Sequence, residues 1–160
     1  MGQERGGGRR AVQRAVCFSL AACCMVMIFC FSAQTGTQSD AVSLPVARWL
    51  QEALPFVGDM ANLYVRKAAH FSVYCLLSVF LSGGFETFRL RRAVRVAAPV
   101  GICALYAVGD ELHQGFVANR TPAALDVCID TAGALAGALL VCLCCLLYRR
   151  HRQRRAAQGT

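Results

Sequence analysis

Asp110-Glu111-Leu112-His113-Gln114 closes a stretch, Val96 to Gly109, that is otherwise almost wholly apolar. Asp126 and Asp130 open the next apolar segment, and Lys67 and His70 open the one before it. Carboxylates set beside an imidazole and an ammonium can exchange protons as general acid and base, hold an anionic group, or recruit a cation. In a membrane helix an ionised carboxylate costs roughly 2.5–3.5 kcal/mol at the bilayer centre, so such groups turn toward a protein interior.

Helical phase sorts these residues into faces. Lys67, His70 and Tyr74 follow i, i+3, i+7 spacing; Tyr106, Asp110 and Gln114 follow i, i+4, i+8, with Glu111 and His113 flanking that stripe. Asp126 and Asp130 are one turn apart, and Gly133 and Gly137 continue their face as a GxxxG pattern that lets another backbone approach. Three polar faces are most cheaply buried against one another, in a shared pocket. The acids Asp110, Glu111, Asp126 and Asp130 outnumber Lys67 and Arg120 there, so proton sharing or a bound cation is expected. His70, Asp110, Asp126 and Asp130 are the acid–base candidates. Lys67, His70, Tyr74, Asp110, Glu111, Gln114, Arg120, Asp126 and Asp130 are the candidate ligand-binding set. His70 could serve as general base, as ligand, or as hydrogen-bonded partner of Asp126. Asp-Glu-x-His is not the His-Glu-x-x-His of zinc peptidases, because Glu111 and His113 point to different faces. No particular metal or cofactor is implied.

The elements that must position these groups are membrane helices. A hydrophobic fraction of 56% with only 16% charged residues lies outside the usual soluble range. A span needs roughly 20 mostly apolar residues, and four segments suffice: Ala15–Ala33, Leu63–Gly83, Val96–Val117 and Ala123–Tyr148. The first could be mistaken for a signal peptide, but it is longer than a signal core and Ser32-Ala33-Gln34 is a weak cleavage site, so a retained helix is expected.

A net charge of +8 does not mean nucleic acid. All of the 17 basic residues except Arg48, Arg66, Lys67 and Arg120 fall before the first span, between the second and third, or after the fourth. The positive-inside rule therefore places both termini in the cytoplasm, with contact to anionic lipid. The 10 cysteines all lie within spans, where cysteine packs as a small hydrophobe; Cys145 sits near enough to the inner interface for palmitoylation. The expected organisation is a basic tail over 1–14, a four-helix membrane domain over 15–148, and a second basic tail over 149–160.

Gly36 to Asn62 is expected to be an outer loop holding a short interfacial helix, Val42 to Leu54, started by Pro45 and stopped by Pro55, with Leu44, Val46, Trp49, Leu50 and Leu54 as apolar positions. The turn Ala118-Asn119-Arg120-Thr121-Pro122 joins the last two spans, with Thr121 as a helix cap. Arg120 stands at the mouth of the pocket, where its planar fork suits a lipid phosphate or carboxylate or simply anchors the interface. At ~1.5 Å rise per residue, all the polar groups converge within roughly the outer third of the bilayer.

Together with Phe31-Ser32-Ala33-Gln34-Thr35-Gly36 and Arg66-Lys67-Ala68-Ala69-His70-Phe71-Ser72-Val73-Tyr74, the segments Asp110 to Phe116, Arg120 and Asp126 to Gly133 resemble the VanZ-like family of bacterial membrane proteins. The resemblance runs from about residue 15 to 147. Ala118-Asn119-Arg120 departs from the Pro-Gly-Arg more usual in the family but keeps the arginine. The resemblance implies a cell-envelope protein of the bacterial cytoplasmic membrane, since the namesake accompanies glycopeptide-resistance genes and is linked to teicoplanin resistance. It implies no settled mechanism.

The sequence thus leads to an all-α, four-transmembrane-helix bundle with both termini cytoplasmic and a short interfacial helix in the extracytoplasmic loop. Its first functional reading is an outer-leaflet pocket for a lipid-linked or amphiphilic ligand. An envelope enzyme using Asp/His acid–base chemistry and a small ion-coupled transporter are the alternatives. The expected partners are the bilayer and a lipid headgroup or amphiphile, not nucleic acid, and a homo-oligomer stays open.

Overall fold

A computed structural model of the chain describes residues 2–158, with side chains over 7–157. Met1, Gly159, Thr160 and the side chain of Arg5, on which the basic-tail expectation partly rests, lie outside the described residues. The elements run α1 (Gly2–Ser32), α2 (Gly36–Ala53), a 3-10 turn (Pro55–Met60), α3 (Ala61–Phe85), α4 (Arg92–Gln114) and α5 (Ala124–Gln158). No strand occurs among the described residues. Among the described residues, four helical stretches are long and apolar enough to cross a membrane: Gly7–Ser32, Pro55–Phe85, Arg92–Gln114 and Ala124–Ala157. Each overlaps one of the four expected spans, the third ending at Gln114 rather than Val117, and α1 and α5 run on as helix into the basic segments.

α3 is the hub, packing against every other helix. Its tightest neighbour is α5, which runs parallel to it. A methyl group at Gly133 would collide with the Phe71 carbonyl, and one at Gly137 with the Cys75 carbonyl, so the GxxxG face of α5 does bring two backbones together. Beside this seam sits a core of fully buried Tyr74, Leu77, Cys103, Ala107 and Ala134, closed on the α1 side by Ala21, Cys24 and Ile28. Large apolar side chains such as Leu105, Leu125, Leu139 and Leu143 project outward around the bundle, where a soluble protein would carry polar groups.

The two ends differ in chemistry. At the end carrying both termini, Glu86 pairs with Arg95 at 2.6 Å and Arg149 at 3.6 Å. Arg14 bonds Thr87 Oγ1 and lies 4.0 Å over the Phe88 ring. The opposite end holds α2, the α4–α5 turn and the candidate site.

Two expectations for that end need correction. α2 starts at Gly36 rather than near Pro45, which lies inside it. The reason is a capping box: Thr35 Oγ1 accepts from Gln38 N, and Gln38 Oε1 accepts from Thr35 N. That start, with the Ser43 hydroxyl bonded back to the Ser39 carbonyl, outweighs the loss of one ladder bond at the proline. The buried positions of α2 are small (Gly36, Ser43, Ala47), whereas Trp49 is exposed and Val42 and Val46 stand at the edge of a cleft beside α1 and α3. The second correction concerns α5, which begins at Ala124 without Thr121 as its cap. The carboxylate of Glu111 takes that role, accepting from Ala123 N at 2.9 Å.

Substituting Gly137 by Leu will force α3 and α5 apart and lower the unfolding midpoint in detergent, since overpacking of this kind costs about 1–3 kcal/mol or more against backbone. Gly101→Ala, where an added methyl meets nothing within 4 Å, will leave the midpoint unchanged or raised.

Candidate functional site

The site is assembled from every helix. On α3 and α5 the parallel seam sets the partners in register: Lys67 is hydrogen-bonded to the Asp126 carboxylate, and one turn further in His70 Nδ1 lies 3.5 Å from Asp130 Oδ1. His70 therefore faces Asp130, not Asp126. The Asp130 side chain is completely buried, and neither of its oxygens completes a hydrogen bond within the protein. An unpartnered buried carboxylate is costly, several kcal/mol even after relaxation. His70 is the one group in ion-pair reach of it among the described residues.

α1 and α4 supply the second cluster. Ser32 Oγ donates to Asp110 Oδ2 at 2.8 Å, and Gln114 Nε2 donates to the same oxygen at 3.0 Å and to Ser32 Oγ at 3.2 Å. Ser32, Asp110 and Gln114 are all buried, so two neutral donors, not a cation, hold this carboxylate. Gln114 turns its other end to Arg120, whose Nη1 donates to Gln114 Oε1 at 2.8 Å. Arg120 also donates from Nε to the Gln34 carbonyl and from Nη2 to the Phe31 carbonyl. One guanidinium thus ties the end of α1 to the α4–α5 turn. Burial and the neighbouring Arg66 both pull the Arg120 pKa below its ordinary value.

The turn that presents Arg120 explains the Ala118-Asn119-Arg120 departure. Asn119 sits at φ 59°, the left-handed region that glycine and asparagine tolerate. Its carbonyl occupies the space where a Cβ on Gly36 would stand. The α1–α2 corner and the α4–α5 turn interlock there, with Gly36 N donating to the Ala118 carbonyl.

A third group comes from α2 and α3. Asn62 bridges Ser43 Oγ (2.6 Å) and Asp40 Oδ1 (3.0 Å), and Arg66 reaches Asp40 at 3.4 Å. Sequence reasoning did not place Arg66 or Ser32 in the site. Both stand inside the segments that carry the VanZ-like resemblance, which is the signal that could have found them.

Two cavities open on these residues. One of about 470 Å³ lies between α1, α2 and α3; its walls are Met27, Ile28, Phe31, Val42, Val46, Val65 and Val73, with Ser32, Arg66, His70 and Arg120 at its polar end. The other, about 250 Å³, is lined by Arg66, Lys67, His70, Gln114, Arg120 and Asp126 among others. Arg66, His70 and Arg120 border both. Of the residues expected to form a pocket, Lys67, His70, Gln114, Arg120 and Asp126 reach a cavity. Asp110, Asp130 and Tyr74 lie behind them in the core. Glu111 is engaged as the cap of α5, and the His113 ring packs on Phe29 at 4.7 Å. Tyr106, on the Asp110 stripe, donates to the Met25 carbonyl. No three His, Cys, Asp or Glu residues cluster as a metal-ligand set among the described residues, and all ten cysteines are free thiols.

Glu111→Ala will destabilise the chain by about 0.5–2 kcal/mol, the usual worth of a helix cap, whereas Glu111→Gln keeps an acceptor for Ala123 N and will retain most of it. Thermal unfolding of the detergent-solubilised protein reads the difference.

No curated protein and no solved structure matches the chain. The VanZ/LLP1 family model matches residues 17–147, a range that contains every residue of the site just described. On that match the chain, a membrane-type helical protein, belongs to the VanZ/LLP1 family.

Proposed function

We propose that this protein is an integral protein of the bacterial cytoplasmic membrane whose outward-facing pocket binds a lipid-linked or amphiphilic ligand and thereby influences glycopeptide susceptibility. The observation that carries the reading is the pairing of an apolar cavity with a polar one through shared Arg66, His70 and Arg120. That division of apolar and charged walls is the shape of an amphiphile.

Orientation follows from charge. The Arg-rich end, with Arg14, Arg95 and Arg149 around Glu86, faces the cytoplasm by the positive-inside rule. The pocket then opens toward the outer leaflet, with both termini inside. α2 lies in the outer interface, with exposed Trp49 against lipid and Val42, Ser43 and Val46 bordering the cleft beside the bundle. The 15–148 region acts as one membrane domain flanked by basic tails. The envelope role rests on family membership, because glycopeptide resistance is what the namesake of the family accompanies.

A second reading has one observation in its favour. His70 borders both cavities, and a fully buried Asp130 stands behind its Nδ1. A carboxylate behind an imidazole fixes its tautomer and supports proton transfer at the other nitrogen. Under this reading the protein modifies an envelope lipid or cell-wall precursor, with His70 as the acid–base group and Asp130 positioning it.

Cells producing the wild-type chain, Asp110→Asn or Asp130→Asn will separate the two. For a binder, teicoplanin resistance and lipid adducts in native mass spectra fall together. Resistance lost with adducts intact supports the enzyme. Equal susceptibility with and without the protein removes the envelope role.

Topology has its own check. A Gln51→Cys substitution, at an exposed position on α2, will react with a membrane-impermeant maleimide in intact cells. Protection until the cells are opened reverses the orientation.

A further inference from the structure

We infer that the ligand is a phosphate-bearing lipid, its phosphate held by Arg66 and Arg120 and one hydrocarbon chain lying in the cleft between α1, α2 and α3. The inference rests on the amphiphile-binding reading above and names the class of ligand.

The first ground is the state of the three cations around the polar cavity. Lys67 is committed to Asp126. Arg66 has only a 3.4 Å contact to Asp40, with both side chains a third or more exposed, a weak pairing that leaves most of its fork free. Arg120 has no carboxylate partner among the described residues. Its hydrogen bonds go to the Gln34 and Phe31 carbonyls and the Gln114 amide oxygen, all neutral. A guanidinium carries five N–H donors, so two remain for a ligand. Half-buried Arg120 therefore makes no salt bridge of its own; burial first, and then repulsion from the neighbouring Arg66, pull its pKa below the ordinary value, only partly opposed by Asp110, Glu111 and Asp40. An anion between them relieves that repulsion. A phosphate offers separate oxygens to two planar forks and takes bidentate bonds from each.

The second ground is position. Arg66 and Arg120 stand where the apolar cleft meets the polar cavity. A free phosphate would leave the cleft without a role. A lipid fills both, headgroup in about 250 Å³ and chain in about 470 Å³. The chain itself contributes little selectivity, because it leaves a bilayer as apolar as the cleft. Discrimination falls to the charged end.

Native mass spectrometry of the full chain, released from detergent with added palmitoyl lysophosphatidic acid, monopalmitoylglycerol or inorganic phosphate, tests this. The expected result is a one-to-one lysophosphatidic acid adduct that outcompetes monopalmitoylglycerol. Arg120→Gln will weaken it about tenfold, as loss of a charge-assisted bond implies. Arg120 also ties α1 to the turn, so Arg66→Gln supplies a variant that leaves those ties intact, and it too will weaken the adduct. Arg91→Gln, at the opposite end, will not. Ala69→Phe, which fills the cleft, will lower lysophosphatidic acid binding. Equal binding of the phosphate-free lipid, unaffected by either arginine substitution, overturns the inference while leaving an amphiphile site standing. Inorganic phosphate that displaces the lipid as well as unlabelled lipid does also overturns it. Absence of any adduct with either lipid removes both readings.

Discussion

The contact of Gly133 and Gly137 with the Phe71 and Cys75 carbonyls governs everything above it. Two helices that run parallel and touch backbone to backbone cannot slide without a clash, so their side chains meet at one register only. That register places Asp126 against Lys67 and Asp130 against His70. A slip of one residue would turn the aspartates by about 100° around α5, away from their partners. Small residues at the seam thus do electrostatic work at a distance from themselves, by fixing which charges are neighbours.

The remaining polar groups fall into place around this seam because burying them singly is too costly. Asp110 is solvated by Ser32 and Gln114, and Gln114 is in turn oriented by Arg120. The result is a graded arrangement. Asp110 and Asp130 are deepest, Ser32 and Gln114 stand beside Asp110, and Arg66 and Arg120 stand at the mouth, with Asp126 on the wall paired to Lys67. Such an order places the guanidinium groups at the opening, which suits an anion approaching from the headgroup region. Beyond Tyr74 the core turns apolar, with Leu77, Leu81, Cys103 and Ala107, so the ionisable groups of the site are confined to one end of the bundle.

Much of this was legible in the sequence. The four spans follow from hydropathy, the polar stripes from helical phase, and the concentration of basic residues at one end from their spacing. What was not legible follows one pattern. The start of α2 was misplaced because Pro45 is a loud local signal and the Thr35–Gln38 capping box a quiet one, yet two satisfied backbone groups outweigh one missing bond. Glu111 stands among the candidate ligand-binding residues in the sequence because its actual partner, the Ala123 amide, lies across a turn. Ser32 and Arg66 passed as ordinary polar residues because a single serine or arginine near a helix end carries no pattern. Their roles exist only once α1 and α2 are laid against α3 and α4.

The division is physical. By itself the sequence determined what depends on residues within a few turns of one another: helix lengths, which face of each is polar, which end is basic, and where a glycine stripe permits close approach. Only the tertiary structure decided the pairings, His70 with Asp130 and Arg120 with three neutral acceptors, and the union of an apolar with a polar cavity. Those depend on the rotation of each helix about its own axis and on the corner between α1 and α2. Both are set by contacts between residues 60 or more positions apart, which no local periodicity records.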